Sequence, residues 1–430
     1  MPQDLAVEVL KDPSHGFTGV PPQRGTPPHG PRPQEPAELL VGLYLSSGNT
    51  LTMFACAPDA PSAPGVPRWH VTDLEVSADE LRERADRLRS RWHELLVYFV
   101  GEGDPRTGAR VGARPFADTA DLSGLAGVAE SVTAALAEEG FDLLDVMLHG
   151  AGYDLGKFRE FLLGALGGKD PLRVSFLSDL HLPWPMLAVD PAACATPWEA
   201  FLGHRHQVEQ TATGYSWDHA PVDHRNLATT SLNKDDSLDS VGRAGEVHEL
   251  LEKRSRLIVR TRGSDLLKAL AGPVLNEDVM YFWCHGRMVS HGPSTPCLAI
   301  RLSDDEHIDG PVVSRKRRPF LHEPSARFKP FVLLNACGTA RAAAPGRLKH
   351  LGQELIGMGA EGVLAPQIDM PQDFATEYAY AFLDLYLTGQ HTAGEITRTL
   401  VRRFATEFHN PLALAYSLHC GINSRLSLAS

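Results

Sequence analysis

Three short runs in the second half of the chain are apolar at nearly every position: VMYFWCHG at 279 to 286, PFVLLNACG at 330 to 338 and GVLAPQI at 362 to 368. A strand with one face in water alternates apolar and polar residues, so unbroken runs of this length require burial on both faces. Between and after them the pattern shifts to helical periods. Gln372 to Thr388 sets Phe374, Tyr378, Phe382 and Leu385 on one stripe and stops at Gly389, and Thr392 to Glu395 opens a further helix with a T-x-x-E capping box. Such strands alternating with helices predict an α/β fold. Its mostly parallel sheet is flanked by helices and carries its chemistry at the carboxyl ends of the strands.

Upstream, ELLVGLYL and LTMFACA between Leu39 and Ala57 read as two strands, split by a hairpin turn at Ser46-Ser47-Gly48-Asn49. A long amphipathic helix opens near Ser77, whose spacing to Glu80 fits a capping box, with Leu81, Ala85, Leu88 and Trp92 on one face. LRVSFLSDLHLPWPMLAV from Leu172 contains Pro183 and Pro185 and reads as a strand with an irregular return. Residues 11 to 37 are too rich in Pro and Gly to form a packed core and read as an extended or mobile tail. The expected divisions are a tail at 1–38, an N-terminal hairpin-helix region of α+β character at 39–165, and the main α/β domain at 166–430.

The net charge of -12 gives no global field for nucleic acid or anionic lipid. No apolar run is long enough to span a bilayer, and MPQDLAVEVLKDP lacks the features of a signal peptide, so the expected location is cytoplasmic. Six cysteines without C-x-x-C pairs indicate neither a disulfide framework nor a thiolate zinc site, and the histidines form no H-E-x-x-H. No metal-ligand spacing is present. Gly152 to Lys157 lacks the spacing of a P-loop, Gly101, Gly103 and Gly108 have no following helix, and Gly214 to Asp218 lacks the last glycine of a nucleophile elbow.

The first two apolar runs end in Cys284-His285-Gly286 and Asn335-Ala336-Cys337-Gly338. A thiol is a poor nucleophile while protonated and needs an imidazole within reach, which adjacent parallel strands ending at one edge provide. His285 is therefore the candidate base and Cys337 the candidate nucleophile, with the backbone N–H groups of Gly286 and Cys337 as oxyanion donors. Side chains alternate across a strand, so if His285 faces the site, Cys284 faces away and packs. His149-Gly150 imitates the motif without a cysteine partner and reads as structural.

Y-F-W-C-H-G followed by V-L-L-N-A-C-G-T-A resembles the paired His and Cys motifs of the CHAT family, bacterial relatives of caspases and separases. His285 precedes Cys337 by about fifty positions, as in caspase-type enzymes. GAEGVLAPQIDMPQDFATEYAYAFLDLYLTG resembles the family's strand and long helix after the cysteine, NPLALAYSLHCG its closing strand, and SDLHLPWPMLAVDP with TPWEAFLGHRHQV its proline-containing segment. The Leu39 hairpin and Ser77 helix resemble its N-terminal extension, so roughly residues 39 to 425 are covered.

The resemblance implies a caspase-like three-layer fold and an intracellular cysteine endopeptidase, working without metal or organic cofactor and cutting a partner protein in a bacterial defence or cell-death response. In this fold the strand after the nucleophile feeds a loop beside the substrate. Asp369 is therefore the leading candidate for an acidic substrate pocket, followed by Asp373 and Asp236. Arg315-Lys316-Arg317-Arg318 lies between the two dyad strands and is expected as an exposed, mobile loop, whose usual meaning is a solvated surface or a partner contact and whose sharper alternative is a self-cleavage site. There are no tetratricopeptide repeats to act as a sensor, which points to an activating partner in trans docking between Leu39 and about Lys157. The alternative is a catalytically silent caspase-like scaffold that binds a partner protein through the same cleft.

Overall fold

In a computed structural model of the chain, the structure describes residues 37–46, 50–57, 69–99, 114–178, 180–212, 227–289, 297–321, 323, 326–338 and 348–427, and at Cys337 the backbone alone. The Pro-rich tail up to position 36, the tip of the first hairpin and the glycines at 101, 103, 108 and 214 lie outside the described residues.

The expected hairpin is β1 (Leu39–Leu45) and β2 (Leu51–Cys56), antiparallel with Leu45 opposite Leu51. A further strand, β3 (Trp69–Asp73), pairs with β2. Helix α1 (Ala78–Leu96) starts where the capping pattern placed it, with the Ser77 side chain accepting a hydrogen bond from the Glu80 N–H at 3.2 Å. Its stripe of Leu81, Ala85, Leu88 and Trp92 is buried. After α2 (Ala126–Met147) and α3 (Tyr153–Leu166) come β4 (Arg173–Ser178), the single turn α4 (Leu202–Arg205) and β5 (Gln207–Thr211).

The second half runs β6 (Thr229–Lys234), α5 (Ala244–Arg254), β7 (Arg256–Arg260), α6 (Gly263–Leu270), β8 (Val274–Leu275), β9 (Val279–Val289), β10 (Cys297–Arg301) and β11 (His307–Ile308). It continues through α7 (Gly310–Arg317), β12 (Arg327–Phe328), β13 (Phe331–Gly338), α8 (Leu348–Gly357), β14 (Gly362–Pro366), α9 (Gln372–Tyr386), α10 (Ala393–Glu407) and β15 (Tyr416–His419). The capping box predicted for α10 is present in both directions between Thr392 and Glu395.

Among the described residues one mixed sheet runs in the order β7-β6-β9-β13-β14-β15-β5-β4-β1-β2-β3. It is mostly parallel, with antiparallel pairs at β14–β15 and in the N-terminal hairpins. Strand β9 outruns β6, and its projecting end pairs instead with antiparallel β10. Successive residues of β9 enter different cores. Val279, Tyr281 and Trp283 share one with α5, α9 and α10, while Met280, Phe282 and Cys284 share the other with α6, α7 and α8. Cys284 thus packs, as strand alternation requires. Helices α1 to α3 share one core with β1 and β4, and α3 packs on β3 through Phe161 stacked on His70, whereas Trp69 and Val71 on β3 are exposed beside the stacked rings of Tyr44 and Phe54.

The run Arg315 to Arg318 departs from expectation: it closes α7 and enters a 3-10 turn. Asp309 caps this helix by accepting from the Val312 N–H at 2.8 Å, and Pro311 sits in the first turn, where its missing N–H costs nothing. Cations at the far end complement the helix dipole. Arg317 is buried, donating to the carbonyls of Leu270 and Gly272 with its guanidinium over the Phe328 ring. The run is thus helical, with Arg315 and Arg318 exposed on either side of the buried Arg317, rather than a loop.

Two buried charged groups hold the frame. Arg89 of α1 donates to the Gln367 side chain just after β14, to the His181 carbonyl and to Asp86. Burial lowers the pKa of this guanidinium, and Asp86 partly offsets the effect. Glu209 on β5 stands opposite Leu418, where β5 meets β15 through two residue pairs. It accepts from the Ile422 N–H at 2.9 Å, and burial pushes its carboxyl up to about 7.

Replacing Arg89 by Met strands the acceptors it satisfied and is expected to cost about 3 kcal/mol in urea denaturation. Arg84→Met, which removes an exposed pair with Glu80, should cost less than about 1 kcal/mol. For Glu209, the folded state holds the proton more tightly than the unfolded chain. Its contribution is therefore intact near pH 4 and lost as pH rises from its ordinary 4.5 toward 7, at about 1.4 kcal/mol per pH unit. Glu209→Gln keeps an acceptor for Ile422 and should flatten that decline, stabilising the protein at pH 8 while changing little at pH 4.

Candidate active site

From β6 the chain moves outward to β7, then crosses back to place β9, β13 and β14 on the other side. The strand order reverses between β6 and β9, and the crevice beyond the carboxyl ends of strands at such a point is where α/β sheets bind ligands. Three segments meet there: Lys234 running into Asp235, Asp236 and Ser237; His285-Gly286, where β9 leaves β13 and continues beside β10; and Cys337-Gly338 at the end of β13.

Strands β9 and β13 pair in parallel, with Cys337 in register with His285 and Gly338 with Gly286. In-register residues of neighbouring strands share a sheet face about 4.8 Å apart. Two positions before Cys337, Asn335 is buried and fixed from both ends: its Nδ2 donates to the Ala375 carbonyl at 2.9 Å, and its Oδ1 accepts from the Tyr416 hydroxyl at 2.7 Å. A Cβ added at Gly286 would stand 3.2 Å from Leu298 Cδ1, so packing against β10 favours glycine there.

The His285 side chain is partly accessible, and its Nε2 faces the loop after β6. Asp235 Oδ2 lies 3.7 Å away and Ser237 Oγ 3.5 Å away. Asp235 is buried, and its Oδ1 accepts from both the Ser237 N–H at 2.9 Å and the Ser237 hydroxyl at 2.7 Å. The loop is tied to β9 by the Asp235 N–H on the Trp283 carbonyl at 2.9 Å and by Trp283 Nε1 on the Leu238 carbonyl at 3.1 Å. Arg301 stands opposite His285 on β10, with Nη2 3.9 Å from Asp235 Oδ2. Lys234 Nζ binds the Asp239 carboxylate at 2.5 Å and lies 3.5 Å from Asp236.

Of the three acids expected near the substrate, Asp236 stands in this loop, where its N–H donates to Ser303 Oγ and its carboxylate accepts from the same hydroxyl. Asp369 sits 3.7 Å from His93 of α1, and burial raises its carboxyl despite that histidine. Asp373 is exposed in the first turn of α9, against the backbone at Gly242. Asp235 and Ser237 escaped the sequence reading. The signal was weak because β6, TTSLNK, is polar by composition although every residue of it is buried. Its position just before the strand-helix alternation is what marks its carboxyl end as a site.

Among the described residues no three His, Cys, Asp or Glu side chains assemble into a metal site, and no helix is long and apolar enough to cross a membrane. No protein-family model matches the chain, and no curated protein matches it. Among solved structures it is similar to two crystal structures of the separase–securin complex from Saccharomyces cerevisiae. The first match has 10% identity and a TM-score of 0.43, the second 9% and 0.38. Each alignment covers 89% of this chain and 30% of the matched chain, so this protein spans under a third of that length.

Proposed function

We propose that the chain is a cysteine endopeptidase of the caspase and separase clan, of CHAT type, in which Cys337 attacks a peptide carbonyl and His285 exchanges its proton. The observation that carries this reading is the pairing of Cys337 with His285 at the carboxyl ends of two parallel strands, beside the point where the strand order reverses. In the reaction the S–H proton passes to the imidazole and sulfur bonds to the carbonyl carbon. The imidazolium then protonates the leaving amine as the C–N bond breaks, and water hydrolyses the thioester. Backbone N–H groups of Gly286 and Cys337 are the proposed oxyanion donors. The substrate is a protein, and a second macromolecule docking on the N-terminal region switches the enzyme on. The exposed Trp69 and Val71 suit such a contact.

Cys337→Ala and His285→Ala should each abolish cleavage, and the double variant should be no worse than either, because nucleophile and base act as a unit. A thiol-reactive probe separates the enzyme from a silent scaffold without a known substrate. At pH 7 Cys337 should label at least about tenfold faster than Cys420, whose thiol is pushed well above its usual range by burial and by the Glu209 carboxylate. Equal labelling leaves the scaffold. The acidic pocket is read from a peptide library: Arg or Lys should be preferred before the cut, and Asp236→Ala, Asp369→Ala and Asp373→Ala identify which carboxylate confers it. An apolar preference indifferent to all three removes the acidic pocket.

A further inference from the structure

We propose that the Asp235 carboxylate is the positioning group for the His285 imidazole, held in place by Ser237. The two oxygens of this carboxylate have separate partners. Oδ1 accepts both hydrogen bonds from Ser237, N–H and hydroxyl, and so caps the short turn after β6. Oδ2 is left to face His285 Nε2 at 3.7 Å. The carboxylate is almost wholly removed from water, so a cap alone explains only half of it: a neutral asparagine would cap the turn without the cost of burying a charge.

With Nε2 directed at Asp235 and Ser237, the imidazole carries its proton on Nε2, and Nδ1 is the nitrogen left to act as base. A carboxylate on the far nitrogen fixes that tautomer and stabilises the imidazolium formed when the thiol gives up its proton. Such contacts are commonly long before substrate binds and shorten in the working complex. The anchoring supports this role, since the Asp235 N–H on the Trp283 carbonyl and the Trp283 indole on the Leu238 carbonyl bind the loop to the strand that carries His285. The other charged groups around the imidazole are Arg301, 3.9 Å from the same Oδ2, and Lys234, which is occupied by Asp239 and Asp236.

The inference rests on the reading of Cys337 and His285 as a dyad and is tested apart from it. The measurement is the alkylation rate of Cys337 by iodoacetamide against pH, read by mass spectrometry on the full chain. Dependence of that rate on His285, shown with His285→Ala, checks the dyad. Given that dependence, Asp235→Asn keeps the cap but removes the charge. It should slow labelling at pH 7 by roughly tenfold and move the midpoint of the profile to higher pH, with the thermal midpoint unchanged. Ser237→Ala, which removes one of the two bonds locating the carboxylate, should shift the profile the same way by a smaller step, and it carries the test if Asp235→Asn does not fold. An unchanged profile overturns the proposal while leaving the dyad standing. So does an equal loss in Arg301→Gln, which would make the carboxylate an anchor for that arginine.

Discussion

Everything at this site depends on one register. Eight consecutive residue pairs join β9 to β13, from Val279 opposite Phe331 to Gly286 opposite Gly338, and His285 meets Cys337 because of the other seven. A slip of one residue would turn every side chain of a strand to the opposite face, and both faces here are committed. On one, Phe331 stacks on Phe382 and meets Tyr386 of α9 at a tilt, while Asn335 is held by Ala375 and Tyr416. On the other, Val332, Leu334 and Ala336 fill the core beneath α8. The slipped arrangement would bury Asn335 among aliphatic side chains and strand its two partners, so packing and hydrogen bonding select the same register independently.

The apolar runs were legible in the sequence because strands buried on both faces leave no polar positions to confuse the pattern, and with them came β9, β13, β14, the helices after them and the pairing of His285 with Cys337. Less visible were the elements whose polar residues are satisfied by distant partners. Strand β5, QVEQT, buries Glu209 against an amide at Ile422, and the polar strand β6 is fully buried. Neither pattern announces a central strand, and with β6 went Asp235. The basic run at 315 to 318 misled in the opposite sense, since charge density suggested a solvated loop. The local signals for a helix, Asp309 as cap and Pro311 in the first turn, were present in the chain.

The N-terminal strands extend the same sheet, and their helices connect it by polar bonds with the half that carries His285 and Cys337. Arg89 on α1 spans the gap by binding both Gln367, just after β14, and the carbonyl of His181, just after β4. A guanidinium offers five donors in a rigid fork, which lets one side chain hold two loops that no apolar residue of similar volume could fix in direction. The Gln367 it fixes leads directly into Ile368 and Asp369, so α1 sets the path of the loop that follows β14.

The same junction reaches the helix that follows β13. The His181 ring takes a hydrogen bond from Gln210 of β5 at 2.7 Å on one nitrogen and contacts Gln353 of α8 through the other, and among the described residues α8 is the first helix after β13. A displacement of the N-terminal layer is therefore felt at α8 through hydrogen bonds, which tolerate little change in angle, as well as through apolar contacts, which slide. This supplies a physical route by which a macromolecule bound to the N-terminal strands could bias the arrangement around Cys337. The two halves share His181 and Arg89, so neither half can shift freely without breaking bonds that the other half needs.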